Sequence, residues 1–160
     1  MKKRINLEPH PEKSASRVSI TSFMIGSLLL ILTLIWTLKP ENFSIILIYQ
    51  LVLAIPLLFV SSLAYAKVGY WTHHENLDRF AWITNTTGNI FTINVIGLIA
   101  LTFSKNLAWA YFILVIILIG IYYTLNVIAK PYTLKEKIIK FIIFILIIIT
   151  GGIWPLFNIS

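Results

Sequence analysis

Long apolar runs alternate with short polar segments along almost the whole of this chain of 160 residues. Five of the runs contain about 20 residues, the length of helix that crosses about 30 Å of hydrocarbon. They predict an all-α integral membrane protein in which a five-helix transmembrane bundle forms a single domain over residues 18–158. The predicted spans cover residues 18–38, 43–66, 83–103, 107–128 and 138–156. Residues 1–17 show no apolar periodicity and predict a basic cytoplasmic tail.

Three short features mark where the predicted helices end or bend. Pro40 cannot continue the first span, so residues 39–42 predict a tight turn. Residues 104–106 leave room only for a tight hairpin, which makes the third and fourth spans antiparallel neighbours. Residues 150–152 predict a point of close packing or bending in the last span, because adjacent glycines permit both.

The distribution of basic residues predicts the orientation of the chain. Of the 13 Lys and Arg residues, eleven fall on one side of a five-span topology, and Lys39 and Lys105 fall on the other. Because cytoplasmic loops carry the excess of positive charge, the N-terminus is predicted inside the cell and the C-terminus outside. With 58% hydrophobic and 12% charged residues and many Ile, Lys and Asn, the chain is predicted to be a multi-pass protein of a bacterial inner membrane.

One long polar interruption, residues 65–94, divides the apolar sequence. Its first part, residues 69–81, can be drawn as an amphipathic helix and predicts a short segment lying on the inner leaflet. An ordinary solvated connector between two spans has the same pattern. The leading functional hypothesis is that residues 71–82, with the basic loop at residues 130–140, contact a cytoplasmic protein or anionic lipid. Its candidate residues are Trp71, His73, His74, Glu75, Asp78, Arg79 and Trp82.

The adjacent histidines raise the alternative of a metal site. His74 and Asp78 are four residues apart and would share one helix face, with His73 or Glu75 as a third ligand. The ligand count that a functional site requires is not visible, and Asp78 stands where a His-Glu-x-x-His motif has its second histidine. The sequence also contains no cysteine. We therefore expect no metal and no cofactor, with His74 and Asp78 as weak candidate ligands.

A set of neutral polar side chains is predicted inside the membrane. It consists of Gln50, Asn85, Asn89, Thr92 and Asn94. The simplest interpretation is hydrogen bonding between helices, worth about 0.6 kcal/mol per contact. One alternative is a pathway for water or ions, since amides and hydroxyls can line a pore. The other is a pocket for lipid or a small ligand. These groups cannot relay protons as carboxylates do, which weakens the case for a proton-coupled transporter.

The predicted spans contain no Asp, Glu, Arg or His, and Lys140 at an interface is their one lysine. The usual general acids and bases are therefore missing from the membrane interior, and an enzyme is the less favoured class. Nucleic acid is not an expected partner, because the positive charge sits in short loops where topology explains it.

Three functional hypotheses follow from these residues. The first is a non-enzymatic anchor, sensor or assembly subunit for a cytoplasmic partner, embedded in the lipid bilayer as a homo-oligomer. The second is a small oligomeric channel or permeability factor lined by Asn and Thr. The third is a membrane enzyme or metal site at the loop that contains His73, His74, Glu75 and Asp78.

Overall fold

A computed structural model describes residues 11–38, 43–70, 75–129 and 134–158, and within these ranges the backbone forms helices joined by short links. The helices are α1 (Pro11–Thr37), α2 (Ile45–Tyr70), α3 (Glu75–Phe103), α4 (Lys105–Ala129) and α5 (Leu134–Ile148). A π-helical turn at Ile149–Ile153 follows α5 directly and leads into the short helix α6 (Trp154–Asn158).

Four of these helices are long and apolar enough to cross a membrane. Their apolar stretches are Ser14–Thr37, Ile45–Gly69, Asn76–Phe103 and Lys105–Leu125. Many of their large apolar side chains are exposed, as expected for a helix whose solvent is lipid; Trp36 and Phe103 are 77% and 80% exposed. The chain is therefore a multi-pass helical membrane protein. The last apolar helix, Phe141–Phe157, is shorter, so the count of five spans and the orientation stay predictions.

The predicted hairpin between the third and fourth spans is confirmed. Helix α3 ends at Phe103 and α4 begins at Lys105, which leaves Ser104 as the whole link. The Ser104 amide donates to the Ala100 carbonyl at 3.1 Å, and the Ser104 carbonyl accepts from Ala108 at 3.1 Å. Ser104 thus supplies a donor to the end of α3 and an acceptor to the start of α4.

The polar start of the third span differs from the prediction. No separate amphipathic helix is present in the described part of residues 69–81, because α2 continues to Tyr70 and α3 begins at Glu75. Helix α3 has no proline, and its threonines bond within the helix: Thr84 and Thr87 donate to the carbonyls of Phe80 and Ile83, each at 2.9 Å. The polar residues are therefore compatible with one continuous helix.

The first helix also begins earlier than predicted. The first span was predicted to start at residue 18. Helix α1 starts at Pro11, inside the segment predicted to be a tail. Proline suits the first position of a helix, because its missing N–H would have no partner there. Glu12 in the first turn complements the positive end of the helix dipole.

The chain divides into two compact units. The N-terminal unit comprises Met1–Leu38 and Leu51–Asn89. Its core contains Ala64, Tyr65 and Ala81, with Val18 and Leu77 packed against them. Gly88 allows α3 to approach α2 closely, since a Cβ at this position would lie 2.8 Å from the Leu58 side chain.

The C-terminal unit comprises Lys39–Gln50 and Ile90–Ser160. Its core contains Ile90, Ala108, Phe112, Ile148 and Leu156. Helix α4 contacts the last helical run near both ends through aromatic pairs. The Tyr123 and Phe141 rings are 4.9 Å apart, and those of Trp109 and Phe157 are 5.3 Å apart. Helix α4 and the run from α5 to α6 therefore lie side by side and antiparallel.

Candidate functional site

Among the described residues, we distinguish a cluster of polar residues in each of the two units. The N-terminal polar cluster is defined by Ser14, Arg17, Thr21, Tyr65, Asp78 and Asn85. The C-terminal amide cluster is defined by Gln50, Asn94, Gly151 and Gly152.

In the N-terminal polar cluster, α1 contacts α2 through a serine. The Ser14 hydroxyl donates a hydrogen bond to the Tyr65 backbone carbonyl. Gly69 favours this close approach, because a Cβ there would lie 3.0 Å from both the Cβ and the Oγ of Ser14. The first turns of α1, which the sequence assigned to the tail, therefore pack against the last turns of α2.

Arg17 connects the same end of three helices. Its guanidinium carbon lies 4.7 Å from the centre of the Tyr65 ring, and its Nη1 lies 3.5 Å from the Asp78 Oδ1. The ion pair is partly exposed, so it contributes at most about 1 kcal/mol, and the cation–π contact contributes about 0.5–1 kcal/mol. Arg17 thus contacts the charged ends of both α2 and α3 from α1. These contacts contribute little to stability.

Hydroxyl groups extend this cluster along the helices. The Thr21 hydroxyl lies 2.8 Å from the Arg17 carbonyl oxygen and 3.3 Å from the Asn85 Oδ1, so it can donate to either. Between α2 and α3, the buried Ser61 hydroxyl donates to the Ala81 carbonyl at 3.0 Å. Ser14, Arg17 and Thr21 follow the spacing of one helix face.

The C-terminal amide cluster forms where the last helix changes its hydrogen bonding. Pro155 has no N–H, so the Gly151 carbonyl lacks the donor that an α-helix would supply four residues later. The Gln50 side chain replaces that donor, because its Nε2 donates to the Gly151 oxygen at 2.7 Å. A side chain from α2 therefore satisfies a backbone group exposed by a proline in another helix.

The π-helical turn withdraws a second donor. The Trp154 N–H bonds to the Ile149 carbonyl, five residues earlier, and not to the Thr150 carbonyl that an α-helix would use. The consecutive carbonyls of Thr150 and Gly151 thus lose their α-helical donors, one through the turn and one through proline. π-Helical turns inside helices frequently occur at functional sites.

Asn94 packs directly against the glycine pair. A Cβ at Gly151 would lie 2.6 Å from the Asn94 Nδ2, and a Cβ at Gly152 would lie 2.6 Å from its Oδ1. The Asn94 Nδ2 also donates a long bond of 3.4 Å to the Ile147 carbonyl. Glycine is therefore the residue that lets the amide of α3 reach the backbone of the last helix.

Two amide oxygens in this cluster have no hydrogen-bond partner within the described part of the chain. They are the Gln50 Oε1 and the Asn94 Oδ1, on residues that are 7% and 0% exposed. The Gln50 Oε1 lies 3.2 Å from the position of a Cβ at Gly151. Both oxygens thus face the glycine pair. In the N-terminal unit, the buried Asn89 Oδ1 is likewise unpaired among the described residues.

The structure brings some of the sequence-predicted residues together and leaves others apart. Gln50 and Asn94 join one cluster, and Asn85 and Asp78 join the other. Asn89 and Thr92 are half-buried on α3. The sequence analysis did not single out Ser14, Arg17 and Thr21, although their spacing places them on one helix face. It also did not single out Pro155, although a proline four residues after Gly151 removes the donor to the Gly151 carbonyl.

The predicted cytoplasmic loop is described only in part. Trp71, His73 and His74 lie outside the described residues, and Glu75 is the first residue of α3. Arg79 is exposed and Trp82 is half-buried on the same helix. Within the described ranges no group of three His, Cys, Asp or Glu residues could hold a metal ion. The hypothesis that pairs His74 with Asp78 stays a hypothesis, because His74 is outside those ranges.

These features define a class, a small multi-pass helical membrane protein with one polar cluster in each unit. Comparisons with protein-family models, with curated proteins and with solved structures find no match.

Proposed function

We propose that this chain is a non-enzymatic anchor or assembly subunit of a bacterial inner membrane that presents its cytoplasmic end to a protein partner. The observation that carries the proposal is the contact of Arg17 with Tyr65 and Asp78. It gathers the charged ends of α1, α2 and α3 on one side, which is the side that the positive charge marks as cytoplasmic. The partner-binding surface includes this end.

The electrostatics of that end favour an acidic partner. In the proposed five-span topology the whole cytoplasmic side carries eleven basic and five acidic side chains, while the opposite side carries two basic and one acidic. Lys67 and Arg79 are exposed at the end of α2 and the start of α3. A positive surface attracts an acidic protein and increases its association rate. Anionic lipid is the alternative ligand for the same charge.

A fifth membrane crossing is part of the proposal. The aromatic contacts place the segment from Phe141 to Phe157 alongside α4, which is long and apolar enough to span. These two residues are separated by about 24 Å along a helix, close to the thickness of the hydrocarbon. A fifth crossing puts the C-terminus on the outer side.

Single-cysteine labelling tests the orientation, because the natural chain contains no cysteine. In intact cells, a membrane-impermeant maleimide should label Ser104→Cys and should label Lys67→Cys only after the cells are opened. Ser104 and Lys67 are both exposed, so they form a matched pair. Labelling of Lys67→Cys in intact cells would contradict the proposed cytoplasmic end.

Site-specific cross-linking in cells tests the proposed partner. A photoreactive residue at Lys67 or Arg79 should give a discrete adduct with a cytoplasmic protein, and the same residue at Ser104 should not. Charge reversal of Lys67 should reduce the adduct from position 79, since the attraction is electrostatic. If both cytoplasmic positions yield adducts only with lipid, anionic lipid is the ligand and the protein-anchor proposal is wrong.

Self-association is also proposed, and α1 offers the contact face. Ser22 and Gly26 are exposed four residues apart, and a Cβ at Gly26 would meet nothing within 4 Å. Small residues at this spacing let two membrane helices approach closely. Gly26→Leu should lower the fraction of the protein that is cross-linked as a dimer in membranes. Gly120→Leu, at a glycine of α4 with equal open space, is the control.

A further inference from the structure

We propose that the C-terminal amide cluster binds a dehydrated monovalent cation, held by Gln50, Asn94 and the carbonyl groups of the π-helical turn. This inference is independent of the proposed function, because every group involved belongs to the C-terminal unit and none belongs to the end assigned to a partner.

The first observation is an excess of unpaired acceptors in a buried place. The Gln50 Oε1 and the Asn94 Oδ1 have no partner in the described part of the chain, and both residues are more than nine-tenths buried. A buried carbonyl oxygen without a partner is strongly unfavourable, and most such groups in folded proteins are satisfied. A ligand that interacts with oxygen atoms is therefore expected.

The second observation is a pair of consecutive backbone carbonyls that lack their α-helical donors. Thr150 loses its donor because the Trp154 N–H bonds to Ile149, and Gly151 loses its donor because residue 155 is proline. The Gly151 oxygen accepts from Gln50 and keeps a second lone pair. Carbonyls at broken helices coordinate alkali ions in membrane transport proteins.

The third observation is that these groups converge on two glycines. The Gln50 Oε1 lies 3.2 Å from the position that a Cβ of Gly151 would take, and the Asn94 Oδ1 lies 2.6 Å from that of Gly152. The amides thus approach the backbone where side chains are absent. A side chain at either glycine would displace the amide oxygens from this place.

The chemistry of the ligands selects a monovalent ion. The oxygen atoms of the cluster belong to neutral amides and backbone carbonyls, whereas Ca²⁺ and Mg²⁺ sites use carboxylates. Rings of neutral carbonyl oxygens are sufficient to replace the hydration shell of an alkali ion. A water molecule is the competing ligand, since its O–H groups can donate to an unpaired oxygen. The two differ in one respect, because water binding does not depend on the salt present.

Thermal unfolding of the purified full chain in nanodiscs, in NaCl, KCl or choline chloride at equal ionic strength, tests the proposal. We expect Na⁺ or K⁺ to raise the Tm relative to choline in a saturable way, by roughly 5–10 °C at about 100 times the Kd. Gln50→Leu and Asn94→Leu should lose this response. Tyr49→Leu, at an exposed neighbour of Gln50, should keep it. An equal Tm in the three salts would overturn the proposal.

A second variant keeps the test decisive if the leucine variants do not fold. Asn94→Asp places a carboxylate among the neutral oxygens, and a negative charge beside a bound cation increases its affinity. We expect the midpoint of the cation response to shift at least tenfold toward lower concentration. An unchanged midpoint, or the absence of a cation response in a folded Asn94→Asp protein, would contradict a cation at this place.

Discussion

At the scale of single residues, the glycine pair of the last helix shows how a polar side chain is accommodated inside a membrane protein. Asn94 is fully buried, and its amide lies where the Cβ atoms of Gly151 and Gly152 would otherwise be. The amide reaches backbone groups because those positions lack side chains. The polarity of α3 in this unit is thus used for packing against the last helix.

Gly152→Ala tests this close approach. The added methyl group would lie 2.6 Å from the Asn94 Oδ1 and 2.6 Å from the Phe112 ring, so both must move. We expect a loss of about 1–3 kcal/mol in the free energy of unfolding, measured by denaturant titration in mild detergent. Gly120→Ala is the control, since a Cβ there meets nothing within 4 Å and alanine favours the helix. Equal stability of the two variants would contradict the packing described.

A double-mutant cycle between Gln50 and Pro155 tests the replaced hydrogen bond. Gln50→Leu leaves the Gly151 carbonyl without its donor, and we expect this to cost about 1–3 kcal/mol. Pro155→Ala supplies a backbone N–H that can bond to the same carbonyl. The cost of Gln50→Leu should therefore be smaller in the Pro155→Ala background, by about 1 kcal/mol. Strictly additive effects would show that the two residues do not serve one carbonyl.

At the scale of elements, α1 is held to α2 and α3 by three polar residues on one face. Ser14, Arg17 and Thr21 each contact a different part of the neighbouring helices. None of these contacts is strong by itself, because the ion pair is partly exposed and the others are single hydrogen bonds. Their common effect is to fix the register of α1.

The interaction energy between Thr21 and Asn85 tests whether α1 is held in this register. We expect the double-mutant cycle of Thr21→Val and Asn85→Leu to give an interaction of about 0.6 kcal/mol and no more than about 1.7 kcal/mol. Thermal unfolding in detergent provides the measurement. A control cycle pairs Thr21→Val with Thr102→Val, whose hydroxyl bonds to its own helix, and should give additive effects. Coupling of equal size in both cycles would exclude a specific contact.

The sequence predicted the elements better than it predicted their polar contacts. Apolar runs of span length and the shortness of the segment at Ser104 determine local structure, so four membrane-length helices and the hairpin were predictable. The start of α1 was not, since the polar residues around Ser14 are stabilised by Tyr65, which is distant in sequence. The same holds for Gln50, because its partner Gly151 is 101 residues away. Periodicity contains no information on such pairs.

At the scale of the whole molecule, the polar groups inside the helices separate the anchor proposal from the channel alternative. Asn94, Gln50 and Asn85 make contacts within their own units, which supports a role in packing. A conducting path requires such groups to face water. The partly buried Asn89 is the informative position, because its Oδ1 has no partner among the described residues.

Vesicles that contain the purified protein at high density test this distinction. We expect them to retain a small fluorescent dye and a K⁺ gradient as well as protein-free vesicles do. Asn89→Leu should leave the retention unchanged. Rapid leakage that is abolished by Asn89→Leu would favour the channel alternative. The control Ile96→Leu, at an exposed site, should then still leak.

The one-residue link at Ser104 has a consequence for the biosynthesis of the chain. Helix α3 is the least apolar of the four membrane-length helices, while the adjoining α4 is strongly apolar. A translocon admits segments into lipid according to their apolar character, and polar residues near the centre of a segment oppose entry. Because Ser104 is too short to let one helix enter without the other, α4 would draw α3 into the bilayer as a joined pair. With a longer, flexible link, α3 would have to insert without α4, and the apolar character of its own sequence is marginal for insertion.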